Sequence, residues 1–170
     1  GLIEPGKYKS LVMFGVNPPQ HLLELTVIAA FAEVWLAKEE KAGPIGINLL
    51  EKIQAPTLPV LYGALLAGVD YVLMGSGIPR NIPDHIDTLC QHQYCSLLLD
   101  VDDRSTEPLP FDPDMIGVNL PPLARPQFLV IISSHVLAMA LARSGGVDGY
   151  IVESHMAGGH NAPPRGWSSE

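Results

Sequence analysis

Four short apolar runs, PIGINLL (44–50), DYVLMG (70–75), QFLVIISS (127–134) and GYIVES (149–154), alternate along this chain with segments of helical periodicity. Runs this rich in Ile, Leu and Val read as strands buried on both faces. Outside one insertion, strand, loop, helix and strand recur at a spacing of roughly thirty residues, which requires parallel strands joined by crossover helices. The intervening helices are expected at QHLLELTVIAAFAEVWLAKEE (20–40), within LPVLYGALLAG (58–68), at DHIDTLCQHQ (84–93) and at HVLAMALARSG (135–145). Pro19 stands before the first of these, Lys38 and Lys41 lie near its end, and Gly43 follows it, all ordinary helix boundary signals. SLVMFGV (10–16) predicts a further short strand ahead of it, and YCSLLLDV (94–101) another. The latter runs into an acidic, Pro-rich stretch, so 94–126 is expected to stand apart as an insertion. No short internal repeat is evident.

Doubly wound sheets and TIM barrels both satisfy this pattern. No G-x-G-x-x-G opens the first helix, which disfavours a dinucleotide-binding unit. Four convincing units stand against the eight of a complete barrel. The expected fold is therefore α/β, a partial TIM (β/α)8 barrel, about half of one, as a single domain over 1–170.

Composition narrows the partners. Ten Lys and Arg against 18 Asp and Glu give a net charge of −8 with no basic cluster, which excludes nucleic acid and anionic membrane surfaces. The longest apolar run, 25–37, is interrupted by Thr26 and Glu33 and is too short to span a bilayer. The opening GLIEPGKYKS has no basic stretch followed by an apolar one, so no signal peptide is expected. Two cysteines, Cys90 and Cys95, are too few for a disulfide scaffold, and a cytoplasmic location follows as the default.

Parallel folds bind ligands at the C-terminal ends of their strands. The residues there are Asn48, Met74-Gly75-Ser76-Gly77, Ser133-Ser134, and Glu153 with the loop to His160, small or polar in every case. Ala157-Gly158-Gly159 removes side chains where a ligand could approach the backbone. His160 follows directly, and an imidazole there suits a general base. His155 lacks that small-residue setting. His85, Cys90, His92 and Cys95 fall close together, but the spacing H-x4-C-x-H-x2-C is no standard zinc pattern, and no metal is expected. Neither a phosphate loop nor a nucleophile elbow is present.

VESHMAGGHNAPPRG (152–166) resembles the A-G-G-H segment of the nitronate monooxygenase family, formerly the 2-nitropropane dioxygenases, to which flavin-dependent enoyl-ACP reductases are related. GPIGINLLEKIQAPTLP, AGVDYVLMGSGIPRNIP and FLVIISSHVLAMALARSGGVDGYIVES resemble further strands and loops of that family, so the likeness covers about 40–166 apart from 94–126. The resemblance implies a TIM barrel with non-covalently bound FMN, of which this chain would hold strands three to six. It implies that His160 is the catalytic base. It implies that Asn48, Glu153, Gly158 and Gly159, together with Ser133, lie against the cofactor. At the Ser133 position relatives carry Lys or Pro, and Ser154-His155-Met156 departs from the pattern, in which Gly follows the acidic residue. The implied reaction is oxidation of alkyl nitronates or nitroalkanes by O2 to a carbonyl compound and nitrite. An NAD(P)H-dependent reduction of an enoyl thioester or quinone is the alternative within the family, and a catalytically silent fragment the alternative outside it.

Overall fold

The computed structural model describes residues 2–4, 7–8, 12–39, 43–79, 81–101, 105–117, 119–154 and 156. In chain order the elements are β1 (Leu2–Glu4), β2 (Lys7–Tyr8), α1 (Gln20–Glu39), β3 (Gly46–Leu50), α2 (Thr57–Leu66), β4 (Tyr71–Gly75), α3 (Ile82–Cys90), β5 (Cys95–Asp100), β6 (Thr106–Phe111), a 3-10 turn (Pro113–Ile116), β7 (Gln127–Ile132), α4 (His135–Ser144) and β8 (Gly149–Val152). The strand expected at 10–16 does not form: residues 12–16 belong to no strand. Pro18 and Pro19 follow closely, and the pairing edge that would order such a segment is one no local pattern can supply.

The four apolar runs form one sheet of order β3-β4-β7-β8, and every neighbouring pair is parallel. The order follows the chain without reversal. The β5–β6 hairpin stays outside it as a separate antiparallel pair. In that hairpin Pro108 and Pro110 oppose Leu98 and Ser96. Two residues apart, they share one phase of the ladder, where a missing N–H is tolerated.

The two sheet faces differ. Val72, Met74, Phe128, Val130 and Ile132 point to one side and are buried among Leu58, Leu61 and Leu65 of α2, Ile86 and Leu89 of α3, and Leu141 of α4. Each such side chain contributes about 1.5–3 kcal/mol of hydrophobic stabilisation. The Tyr150 hydroxyl donates to the Ala138 carbonyl at 3.1 Å, tying β8 to α4 on this same side. Leu73, Leu129, Ile131 and Ile151 point to the other side, where they are only half-buried and stand outside the core cluster.

Helix α1 runs against α2 at their closest approach, where a Cβ on Gly63 would strike the Val27 carbonyl oxygen and come within 2.9 Å of the Ala30 methyl. Only Leu22, Val27 and Val34 of α1 are buried, while Leu25, Ile28, Trp35 and Leu36 are at least half exposed. At 20 residues α1 is long and apolar enough to cross a membrane, more than the run 25–37 by itself would allow. Its contact with α2 makes one side of it part of the core.

A repeat that the linear sequence hides emerges at the N-terminal ends of the strands. Gly68-Val69-Asp70 precedes β4 and Gly146-Val147-Asp148 precedes β8. Both glycines have positive φ, 70° and 76°, a region open to Gly at little cost. Each aspartate then brackets the strand beside it. Asp70 N–H donates to the Ile45 carbonyl at 2.9 Å and its carboxylate accepts the Ile45 N–H at 2.8 Å. Asp148 N–H donates to the Phe128 carbonyl at 2.9 Å and its carboxylate accepts the Phe128 N–H at 2.7 Å. A cation completes each bracket: Lys38 from α1 at 2.9 Å on Asp70, Arg125 at 2.7 Å on Asp148.

Candidate functional site: the C-terminal rim of the sheet

Because all four strands run the same way, their C-terminal ends share one rim. Asn48 sits within β3, in register with Leu73 of β4 and Leu129 of β7, so it belongs to the half-buried face, and it is exposed. Ser133 and Glu153 directly follow β7 and β8, which are neighbours, and both are half-buried. The Glu153 N–H donates to the Ile132 carbonyl at 2.8 Å and extends the ladder by one step. The structure therefore brings Ser133 and Glu153 together. Asn48 stands on the far outer strand, two strands away from Ser133 and three from Glu153, roughly 10 and 15 Å at ordinary strand spacing. His160, Gly158 and Gly159 lie outside the described residues, as does His155.

The strand ends hold one group that the sequence reading did not single out. Glu51 follows β3 as Glu153 follows β8, and its N–H donates to the Gly75 carbonyl at 2.8 Å. The Glu51 carboxylate lies over Gly77 so closely that any Cβ there would collide with it. Between these glycines Ser76 has φ 59°, a conformation that costs a non-Gly residue free energy and persists only where its surroundings enforce it. The signal was legible after the fact: both outer strands end in an apolar run closed by Glu, INLLE and YIVE.

Ser134 has a structural role. Its hydroxyl accepts the Leu137 N–H at 3.4 Å and caps α4, one of the donors a helix start leaves free.

The His and Cys residues near 90 make no metal centre, and among the described residues no group of three His, Cys, Asp or Glu side chains is placed to hold an ion. His92, at φ 56°, is a staple instead. Its Nε2 lies 3.0 Å from the Pro121 carbonyl and its Nδ1 2.8 Å from the Tyr62 hydroxyl. A carbonyl only accepts, so Nε2 carries the hydrogen and Nδ1 accepts from Tyr62. Burial, and secondarily the charge of Asp114, hold the Tyr62 hydroxyl above its ordinary pKa, which keeps it a donor. Burial pushes His85 down against the opposing pull of Asp84. Burial pushes both thiols up to about 11, aided at Cys90 by Asp87 and opposed there by Arg125.

What the half-buried face and its rim offer a ligand is an exposed amide on the face, a carboxylate at the rim, and a half-buried apolar floor of Leu73, Leu129 and Ile131. That set suits a flat heteroaromatic ring with polar edges. It fits the ring of a flavin: Asn48 can answer both donor and acceptor atoms on the ring's edge, and the floor its apolar face. Comparison of the chain with protein-family models, with curated proteins and with solved structures gives no match.

Proposed function

We propose that the four parallel strands are an arc of an FMN-binding (β/α)8 barrel, and that the chain carries the substrate side of a cytoplasmic flavin oxidoreductase. Its reaction is oxidation of alkyl nitronates or nitroalkanes by O2 to a carbonyl compound and nitrite. The observation that supports this reading is the strand order: four parallel strands in unbroken chain order, with Ser133 and Glu153 following the ends of neighbouring strands and Asn48 in the middle of the outer strand β3. A doubly wound sheet reverses its order at a switch point, whereas a barrel does not. Asn48, Ser133, Glu153 and the Gly158-Gly159 backbone would hold the cofactor. Bound FMN supplies the electron transfer between substrate and O2. The protein positions the nitro compound, and His160 removes its α-proton.

The test is flavin binding by the purified chain. Added FMN is expected to lose its fluorescence at one-to-one stoichiometry, and Asn48→Ala to weaken binding by about tenfold, the ~1.4 kcal/mol of one good hydrogen bond. His160→Asn is expected to suppress turnover of the neutral nitroalkane far more than that of the pre-formed nitronate. A protein that leaves FMN fluorescence unchanged would overturn the reading, and equal losses on both substrates would remove His160 from proton abstraction. Rapid oxidation of NAD(P)H with an enoyl thioester or quinone would move the activity to the reductase branch.

A further inference from the structure

We propose that the turn after β4, Gly75-Ser76-Gly77-Ile78, is a backbone site for a planar two-oxygen anion, a carboxylate or a nitronate, and that the Glu51 carboxylate is its resident occupant, which such a ligand displaces. Strand β4 is an inner strand, paired with β3 on one side and β7 on the other, so this turn leaves the sheet from a backbone fixed on both edges. Its shape is set before any ligand arrives. Ser76 is held at φ 59°, the buried Pro79 closes the segment, and the Gly75 carbonyl is taken by the Glu51 N–H at 2.8 Å. Successive backbone N–H groups in a turn of this kind surround a concavity that attracts anions.

The donors of that turn are not spent. Neither the Gly77 N–H nor the Ile78 N–H makes a hydrogen bond among the described residues. Gly77 is half-buried and Ile78 exposed, so the turn opens to solvent. Without a side chain, Gly77 lets another group approach its backbone closely. The group that does so is the protein's own: the Glu51 carboxylate lies where a Cβ of Gly77 would be. It is weakly held there. The Gln54 Nε2 donates to Glu51 Oε1 at 3.4 Å, longer than an ordinary hydrogen bond, and Glu51 Oε2 accepts none among the described residues. The carboxylate thus fills the concavity without satisfying its donors, and its departure costs little.

The occupant indicates the ligand. A carboxylate is planar, spreads one negative charge over two oxygens and only accepts hydrogen bonds. A nitronate has the same shape, charge and acceptors, with nitrogen in place of the carboxyl carbon. Either can take the Gly77 and Ile78 donors that Glu51 leaves unbonded, and charge-assisted hydrogen bonds of this kind are the stronger ones. Lys52, the next residue along from Glu51, is exposed and lends a positive charge to the same corner of the rim. The site goes beyond the flavin reading and stands without it, since acetate carries the same two oxygens and enters no redox step.

Backbone amide NMR on the purified full chain tests the site, with acetate and propane-2-nitronate titrated separately at constant ionic strength. Both probes are expected to move the Gly77 and Ile78 resonances, and chloride is not. Glu51→Ala is expected to tighten binding of either probe by about tenfold, the size of one hydrogen bond and one like charge no longer displaced. If that variant fails to fold, the unsubstituted chain decides, through shifts of Gly77 and Ile78 that the probes cause and chloride does not. A response to one probe alone supports the site and names which of the two anions it takes. No shift at Gly77 and Ile78, an equal shift with chloride, tighter binding of phosphate than of acetate, or equal affinity in the parent and Glu51→Ala would each overturn the proposal. A chain that binds acetate here and no FMN would sink the flavin reading and leave this site standing.

Discussion

Asp148 grips both backbone groups of Phe128: its carboxylate accepts the Phe128 N–H at 2.7 Å, and its own N–H reaches the Phe128 carbonyl at 2.9 Å. The same exchange joins Asp70 to Ile45, two crossovers earlier in the fold. The two brackets align β3 with β4 and β7 with β8 at their N-terminal ends. They lie opposite the rim where a ligand would bind, the end of a parallel fold given over to stability.

Removing the Asp148 carboxylate leaves the Phe128 N–H without its acceptor and Arg125 without one of its two carboxylates. Asp148→Ala is expected to cost about 1–3 kcal/mol, the usual penalty for stranding a part-buried donor. Asp148→Asn should cost less, because an amide oxygen can still accept and the ion pair is a third exposed on each side, where such pairs contribute ~0–1 kcal/mol. Urea unfolding with unchanged m-value checks both. Equal losses for the two would mean that charge, not the hydrogen bond, does the holding.

The brackets also set the acid limit. The Ile45 N–H and then Lys38 hold Asp70 below its ordinary value despite partial burial. Burial raises Asp148, but the Phe128 N–H and Arg125 outweigh it and leave the group low. A carboxyl whose folded pKa lies below its unfolded one contributes stability that is fully present above the unfolded value. That stability is lost as pH falls through the folded value, so the melting temperature should drop below about pH 4. Asp70→Asn and Asp148→Asn should each flatten that drop. A variant that melts at acid pH as steeply as the parent would count against the bracket.

Gly63 sets the spacing of α1 and α2. Gly63→Ala drives a methyl into the Val27 carbonyl and is expected to destabilise by about 1–3 kcal/mol, as overpacking does. At this chain length that is about 2–4 °C of melting temperature per kcal/mol. Gly43→Ala, with nothing within 4 Å of its added Cβ, serves as the control and should be near neutral.

Cys90 and Cys95 should be silent toward thiol reagents in the folded state. With both thiols pushed up to about 11, about one in a thousand is ionised at pH 8, and the thiolate is the reactive form. Ellman's reagent is expected to titrate both thiols only after denaturant is added. Rapid reaction of either under native conditions would contradict its burial.

Tyr62 and His92 should be coupled. Tyr62→Phe keeps the ring contact with Phe111, at 5.6 Å between centroids, and loses only the bond to His92, at about 0.5–1.5 kcal/mol. A double-mutant cycle with His92→Gln should recover a coupling of about that size. Additive losses would mean that the staple between α2, His92 and the Pro121 carbonyl makes no separate contribution.

The sequence by itself determined the elements that depend on local pattern. All four apolar runs became strands of one parallel sheet, and each predicted helix is present with shifted ends, because apolar periodicity and Pro and Gly punctuation act within a few residues. It also placed Ser133 and Glu153 at strand ends, since a strand's end is a local event, whereas Asn48, expected at the end of its strand, lies in the middle of β3 because that strand runs on to Leu50. Only the tertiary structure decided what depends on partners distant in the chain. SLVMFGV is strand-like in composition but has no strand to pair with among its described residues. His92, whose spacing to Cys90 and Cys95 fits no standard metal pattern, is claimed by Tyr62 and Pro121, each about thirty residues away. The Gly-Val-Asp repeat is three letters that nothing marks until both aspartates are seen gripping the neighbouring strand. Glu51 became part of the rim because folding laid Gly77 beneath it. Strand propensity is written in the sequence one residue at a time, but a hydrogen bond or a close packing contact needs its second group, and folding alone brings that group into place.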